Sequence, residues 1–296
     1  MNCMMYIPTT PLNRFIEKFW IINDTSLEYS AKVFPDGVVQ LIINLGAPYS
    51  VRCGDGMETS FLAGSLSGER LESCSVAQSR SCHAIGVRFR AGGAFPFFGV
   101  PLHELTESVV DIDLLWGKSF VENLRERLYA ASSPAAQCLV LVQALLDKAG
   151  RNPQTNSTVD IALRYVLGSE EPSIRDIANR IGISHKHLLR QFDKYVGITP
   201  KALARVQRFQ RSLRLLTASA DAQFRNPAAY LSMTEIAYES CYYDQSHFVH
   251  EFEAFTDMKP TDYLHYHQSQ NTLHRLTEPD YTPIRYYLHN LVAQPA

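Results

Sequence analysis

Apolar positions in residues 1–115 come in short runs, broken at close intervals by turn-forming residues. Lys32-Val33-Phe34 leads through Pro35-Asp36-Gly37 into the run Val38-Val39-Gln40-Leu41-Ile42-Ile43-Asn44-Leu45. Phe61-Leu62-Ala63 and Ala84-Ile85-Gly86-Val87-Arg88-Phe89 follow, set off by Gly46, Pro48, Gly54-Asp55-Gly56, Gly64, Gly68 and Ala91-Gly92-Gly93. Short apolar runs between turn residues predict strands, and many such strands predict a barrel or a sandwich. The period then lengthens. Phe120, Leu124 and Leu128 recur every four residues, and Ala135 to Ala149 places Leu139, Val142, Leu145 and Leu146 on one helical face. That face suits packing against the β part or against a second subunit.

A polar stretch, Gly150-Arg151-Asn152-Pro153-Gln154-Thr155-Asn156-Ser157, interrupts the pattern, and helical periods dominate from Val159 to about His267. The expected organisation is a β-rich domain with trailing helices at 1–150, a linker at 151–158, a helical domain at 159–267 and a C-terminal extension at 268–296. The extension, with Pro279, Tyr281, Pro283, Tyr286 and Tyr287, carries no functional signal.

The helical part repeats itself. Ser173-Ile174-Arg175-Asp176-Ile177-Ala178 recurs 59 positions on as Ser232-Met233-Thr234-Glu235-Ile236-Ala237, and Gly182 aligns with Cys241. After one extra residue the offset is 60, aligning Leu188 with Phe248, Phe192 with Phe252, Gly197 with Asp257 and Pro200 with Pro260. Each unit reads as a helix-turn-helix. Ser173 and Ser232 are N-cap residues with an acid three positions later. Small Ala178 allows close helix approach, and Gly182 suits a turn of positive φ. Ser184 starts a second helix that buries Leu188 and Phe192, a helix that fits a DNA major groove.

Charge sharpens this. The net charge of −2 hides an asymmetry: residues 173–216 hold ten Lys or Arg against two acids, whereas residues 217–267 hold two against eight. A concentrated basic segment is the electrostatic footprint expected for a polyanion.

The stretch from about Asp160 to Tyr263 resembles the AraC/XylS family of transcription regulators. Ser173 to Ala178, Gly182-Ile183-Ser184, Leu188, Arg190, Phe192 and Gly197-Ile198-Thr199-Pro200 carry the resemblance in the first unit. Asp244-Gln245-Ser246-His247-Phe248, Phe252 and Pro260 carry it in the second. Residues 1–150 resemble, more weakly, a sensor domain of a subgroup, through Phe34-Pro35-Asp36-Gly37, Gly86-Val87-Arg88-Phe89 with Gly92-Gly93, and Asp111 to Trp116. The implied fold is α+β: a cupin-like β-barrel with trailing helices, then an all-α domain of two helix-turn-helix units joined by a linker helix.

The resemblance places DNA-reading positions on His185, Lys186, Leu189 and Arg190 in the first unit. In the second they fall on Gln245, Ser246, Val249 and His250. Arg190 can pair bidentately with guanine, Lys186 can donate to guanine or phosphate, Gln245 can pair with adenine, and Leu189 can meet a thymine methyl. Arg205 and Arg208, with Arg211, are expected to touch phosphate or stay solvated. Three positions depart from the family pattern: Cys241 and Asp257 stand where Gly is usual, and His250 where a base is frequent. The second turn must therefore avoid positive φ or adopt it under strain. The first unit is expected to supply most of the affinity, and the second less, in a pH-dependent way through His247 and His250.

Composition excludes several other classes. With 296 residues, 46% hydrophobic and 20% charged, the chain suits two folded domains and not a disordered, collagenous or disulfide-scaffold protein. No apolar run approaches the roughly 20 residues of a membrane span. The first twenty residues, with Pro8, Pro11, Arg14, Glu17 and Lys18, do not read as a signal peptide. Cys3, Cys53, Cys74, Cys82, Cys138 and Cys241 show no paired spacing, which suits reduced thiols in a bacterial cytoplasm.

No catalytic motif, cofactor or metal site is expected. In the N-terminal domain Arg88 and Arg90, alternate residues of one strand, are candidate anion ligands, and Trp20 and Phe34 candidate pocket walls. Whether this domain binds a small-molecule effector, only oligomerises or meets a protein partner, or responds to metal or thiol chemistry stays open. The partners implied are double-stranded DNA, a small-molecule effector, RNA polymerase and a second copy of the chain.

Overall fold

The computed structural model describes residues 2–24, 29–78, 80–150, 153–168, 173–225, 231–269 and 285–287. The N-terminal half is built from strands β1 (Asn2–Ile7), β2 (Ile16–Asp24), β3 (Tyr29–Val33), β4 (Gln40–Asn44), β5 (Tyr49–Cys53), β6 (Thr59–Phe61), β7 (Gly64–Ser67), β8 (Cys74–Gln78), β9 (Cys82–Phe89) and β10 (Val109–Asp111). Helices α1 (Phe95–Phe98), α2 (Ile112–Trp116), α3 (Lys118–Ala130) and α4 (Pro134–Ala149) complete it.

The strands form two open sheets, so the expected barrel is not closed by a continuous ladder. One is seven-stranded, in the order β10-β7-β4-β9-β2-β1-β11, where β11 (Arg285–Tyr287) joins β1 in parallel. The other is four-stranded, in the order β3-β8-β5-β6. Alternation along the central strand explains the layers. Ile85, Val87 and Phe89 of β9 are buried in one core with Leu124, Leu128, Leu141 and Leu145 of α3 and α4. On the opposite face Ile42 and Val109 pack against Tyr49, Phe61 and Cys74 of the small sheet. The large sheet is thus a middle layer between helices and the small sheet. Leu141, Val142 and Leu145 of α4 are buried in this core, while Leu139 stays exposed, so most of the apolar face of α4 is core.

One strand position depends on a missing side chain. A Cβ on Gly86 would lie 2.0 Å from the Trp20 ring, which lies across that glycine from the neighbouring strand. Trp20 therefore belongs to the face of the large sheet that looks toward the small one.

The cysteines correct the sequence expectation in part. Cys53 and Cys74, register partners on β5 and β8, are joined by a disulfide, whereas Cys3, Cys82, Cys138 and Cys241 take part in no disulfide among the described residues. Their separation of 21 residues carries no recognisable motif, because strand register rather than chain spacing brings them together.

The C-terminal half is helical: α5 (Ser157–Val166), α6 (Ile174–Ile181), α7 (His185–Tyr195), α8 (Pro200–Arg225), α9 (Met233–Glu239), α10 (Gln245–Thr256) and α11 (Pro260–Ser269). Two cores lie along α8. Ile177, Ala178, Leu188, Phe192 and Leu203 pack with Val159 and Leu163 in the first, and Phe209, Leu213, Ile236, Phe248 and Phe252 pack with Tyr263 in the second. Among the described residues no helix is long and apolar enough to cross a membrane.

The two halves are docked. Phe34, expected as a pocket wall, lies instead in the second helical core, edge-on to Phe209 and Tyr263. Gly37 (φ +71°) faces α8 so closely that a Cβ there would sit 3.0 Å from Leu203 Cδ1. Gln210 Nε2 donates to the Pro35 carbonyl at 2.6 Å. The first unit is held as well: Phe95 packs on Tyr195, and Thr106 Oγ1 donates to the Gly197 carbonyl at 2.8 Å.

Candidate nucleic-acid interface

Each unit is defined by its caps. Ser173 Oγ accepts from the Asp176 N–H and starts α6, and Gly182, at φ +80°, ends it in the left-handed region. Ser184 Oγ then accepts from the His187 N–H and starts α7. In the second unit Ser232 and Glu235 form a full capping box at α9, and Asp244 Oδ1 accepts from the His247 N–H to start α10. These bonds satisfy N–H groups that a helix start leaves without internal partners. The two departures from Gly adopt the glycine conformation nonetheless: Cys241 has φ +61° and Asp257 φ +56°. The second turn is therefore the same shape as the first, reached by residues that pay backbone strain.

The second helix of each unit presents a polar outer face. On α7, His185, Lys186 and Arg190 are exposed and Leu189 is half-buried. On α10, Gln245, Ser246 and His250 are exposed, whereas Val249 is half-buried against the second core. Gln245 Oε1 accepts from Thr234 Oγ1 at 2.8 Å, a contact that orients the amide across the turn. His247 packs edge-on against Tyr242 and accepts from the Tyr243 N–H at 3.4 Å, so it supports the turn.

Two arginines serve the fold more than a phosphate. Arg205 makes a two-pronged bond to Glu251 of α10, with its shortest contact at 2.7 Å. Burial pushes the Glu251 carboxyl up, but the Arg205 bonds outweigh it and hold the group below its ordinary value. Arg208 donates to the Cys241 carbonyl at 3.2 Å and lies over the Tyr242 ring, bracing the second turn. Arg211 is exposed.

Sequence reading missed Tyr238 and Tyr243. Tyr243 is 93% exposed at the turn before α10, and with Tyr238, Arg208, Arg211 and His247 it lines a cleft of about 590 Å³. Tyrosine hydroxyls donate to phosphate as Lys and Arg do. The available signal was two Tyr flanking a turn, which resembles core sequence.

A larger cleft, about 770 Å³, opens between the halves. Arg88 and Arg90 both line it, as do Arg14 and, from the helical half, Arg164 and Arg214. Arg88 is committed to Glu17 at 2.9 Å and to Asp36. Burial lowers its pKa, yet the two carboxylates outweigh that and keep it firmly charged. Arg14, Arg90, Arg164 and Arg214 make no ion pair among the described residues. Trp20 and Phe34 lie outside this cleft.

Comparison with known proteins matches both halves separately. Residues 4–111 match the family described as "Domain of unknown function (DUF6597)", and residues 177–266 match the family described as "Helix-turn-helix domain". No curated protein matches the chain. Among solved structures, ToxT from Vibrio cholerae is similar at 10% identity and TM-score 0.44, with 82% of this chain and 98% of that one covered. The unsaturated fatty acid-bound form of ToxT from Vibrio cholerae strain SCE256 is similar at 12% identity and TM-score 0.41, covering 83% and 93%. A DNA-binding transcriptional dual regulator from Escherichia coli K-12 is similar at 21% identity and TM-score 0.29, covering 38% of this chain and 99% of that one. Two capped helix-turn-helix units on one connecting helix thus coincide with the match over 177–266: the chain carries a helix-turn-helix domain behind an N-terminal domain of unassigned function.

Proposed function

We propose that the protein reads two adjacent major-groove segments with α7 and α10 and that its N-terminal domain controls their use. The observation that carries this reading is the pair of exposed, polar second helices fixed along a single 26-residue helix, α8. Segments read this way lie about one helical turn, roughly 34 Å, apart. His185, Lys186, Leu189 and Arg190 supply base and phosphate contacts in the first, and Gln245, Ser246, Val249 and His250 in the second. Arg190 is the residue best suited to a bidentate guanine contact.

A small anion in the interdomain cleft is the effector favoured by those of its arginines that form no ion pair among the described residues. Arg14 and Arg90 come from one half, Arg164 and Arg214 from the other, so a carboxylate or phosphate there would tie the halves together. Function as a homodimer on repeated sites in the cytoplasm, with contact to RNA polymerase, belongs to the same proposal.

Fluorescence anisotropy on duplexes selected from a random pool by the full-length protein tests it. Tight binding that Arg190→Ala weakens, with a steep salt dependence, supports the reading. Equal binding to selected and random duplexes refutes it. Thermal shift with small mono- and dicarboxylates and phosphate, in wild type and Arg164→Ala, tests the anion.

A further inference from the structure

The disulfide between Cys53 and Cys74 is flanked by residues that reach into the helical half. Cys74 begins β8, an inner strand of the small sheet, and is paired with Cys53 on β5 and with Val33 on β3. The residue before it, Ser73, donates from Oγ to Asp257 Oδ2 at 2.8 Å. The residue before Val33, Lys32, donates from Nζ to the same carboxylate at 3.1 Å and to the Thr256 carbonyl at 2.7 Å. Asp257 ends α10 in the left-handed region. The end of the second DNA-reading helix is therefore gripped by two side chains, one immediately before Cys74 and the other beside Val33, the register partner of Cys74 on β3.

We propose that Cys53 and Cys74 are a reversible thiol–disulfide site whose oxidation state sets the docking of the second helix-turn-helix unit. The proposal rests on the DNA-binding reading only for its consequence, not for the chemistry. Cys74 is buried and Cys53 half-buried, so Cys53 is the sulfur that a reagent meets first. Arg70 Nη1 lies 3.8 Å from Cys53 Sγ, a cation placed to favour the thiolate.

The oxidant is a small-molecule disulfide, RSSR. Cys53 thiolate attacks one of its sulfurs, forming a mixed disulfide and expelling RS⁻. Cys74 then attacks Cys53 Sγ, forming the protein disulfide and expelling the second RS⁻. The two protons lost by the cysteines are taken up by the two thiolates, so RSSR gains two electrons and leaves as two RSH. Excess RSH reverses each step. With the bond closed, β5 and β8 are fastened and Ser73 and Lys32 are held against Asp257. With it open, the segment 69–74 is released and the grip on α10 loosens.

The test uses the full chain equilibrated with oxidised or reduced glutathione. Intact mass and alkylation report the bond, and hydrogen exchange reports residues 253–259 without any DNA present. Reduction is expected to form two thiols at Cys53 and Cys74 and to speed exchange across 253–259. It is also expected to tighten binding to the selected two-segment duplex by about fivefold or more, the lower end of coupling between linked sites. Cys53→Ser and Cys74→Ser should behave as the reduced protein in either buffer, and Cys241→Ser should respond as wild type. Ser73→Ala combined with Lys32→Met should still form the bond yet lose the exchange response. A pair that stays reduced in oxidised glutathione overturns the proposal, as does a bond whose opening leaves exchange at 253–259 unchanged. Altered exchange with unchanged DNA binding would uphold the thiol-controlled docking and instead count against the second unit's role on DNA.

Discussion

Phe34 and Tyr263 meet ring edge to face, 5.7 Å apart, although one belongs to the N-terminal sheet domain and the other to the last helix of the DNA-binding half. The same Phe34 ring also faces Phe209 of α8. An aromatic ring from one domain thus completes the core of the other. Phe34→Ala should lower stability by roughly 3 kcal/mol, the low end of the cost of a truncated buried aromatic. It should also separate one unfolding transition into two. A single transition shifted by less than about 1 kcal/mol in urea denaturation would count against this role.

Arg190 and Arg205 should fail in different ways when truncated. Arg190→Ala should weaken the selected duplex by about 1–3 kcal/mol, and Lys186→Ala should weaken selected and random duplexes alike while lowering the salt slope. Arg205→Ala should instead destabilise the fold, since it strips Glu251 of its partner. Glu251 is held below its ordinary value against the opposing pull of burial, so its stabilising pairing is present above the ordinary carboxylate pKa. It is lost as pH falls through the lowered value. The stability deficit of Arg205→Ala should therefore be full at pH 7 and shrink in acid, as followed by thermal melts across pH.

Glu69 should carry the opposite sign. It is 1% exposed, and its Oε2 meets no donor among the described residues. Burial, reinforced by the nearby Asp36 charge, pushes its carboxyl well above the ordinary range. A carboxyl with a raised folded pKa binds its proton more tightly folded than unfolded, so stability falls as pH climbs from the ordinary value through the raised one. Glu69→Gln should raise the melting temperature at pH 7, with a gain that fades toward about pH 4. Equal gains at both pH values would point to packing instead.

Cys241 offers a direct gain. At φ +61° a side chain costs about 1–2 kcal/mol relative to glycine. Cys241→Gly should therefore stabilise the second unit, less the greater entropy of glycine in the unfolded chain, by roughly 1 kcal/mol. Asp257→Gly relieves similar strain at φ +56° but removes the bonds to Ser73 and Lys32, so it should give no net gain. Chemical denaturation of the two variants side by side distinguishes strain relief from bond loss.

The helical half was readable in the sequence because its determinants are local. The caps at Ser173, Ser184 and Ser232, the turn at Gly182 and the four-residue spacing of Leu188 and Phe192 each act within a few residues. The departure from glycine at Cys241 was readable too, but not whether the turn avoids positive φ or adopts it, which the structure answers with φ +61°. What depended on distant parts of the chain was not. Phe34 looked like a pocket wall because nothing near it shows that a helix 175 or more residues away supplies its neighbours. Arg205 looked free for phosphate because Glu251 lies 46 residues on, reached only when α8 and α10 pack. Cys53 and Cys74 looked unrelated because strand register, not spacing, pairs them. Arg88 and Arg90 were expected on one strand face, but β9 ends at Phe89 and Arg90 lies just past it; the two share only the cleft, whose opposing Arg164 and Arg214 were not legible.

Gly37 gives the turn Pro35-Asp36-Gly37 a significance beyond its strand. With Leu203 Cδ1 3.0 Å from where a Cβ would stand, this turn seats directly on the helix that joins the two reading units. The halves are consequently poor modules: transplanting this DNA-binding half beneath a foreign N-terminal domain would leave an aromatic-sized hollow and an uncovered stretch of α8. A working chimera would have to import the Lys32-to-Gly37 segment along with the helices, so the portable unit of this architecture straddles its own domain boundary.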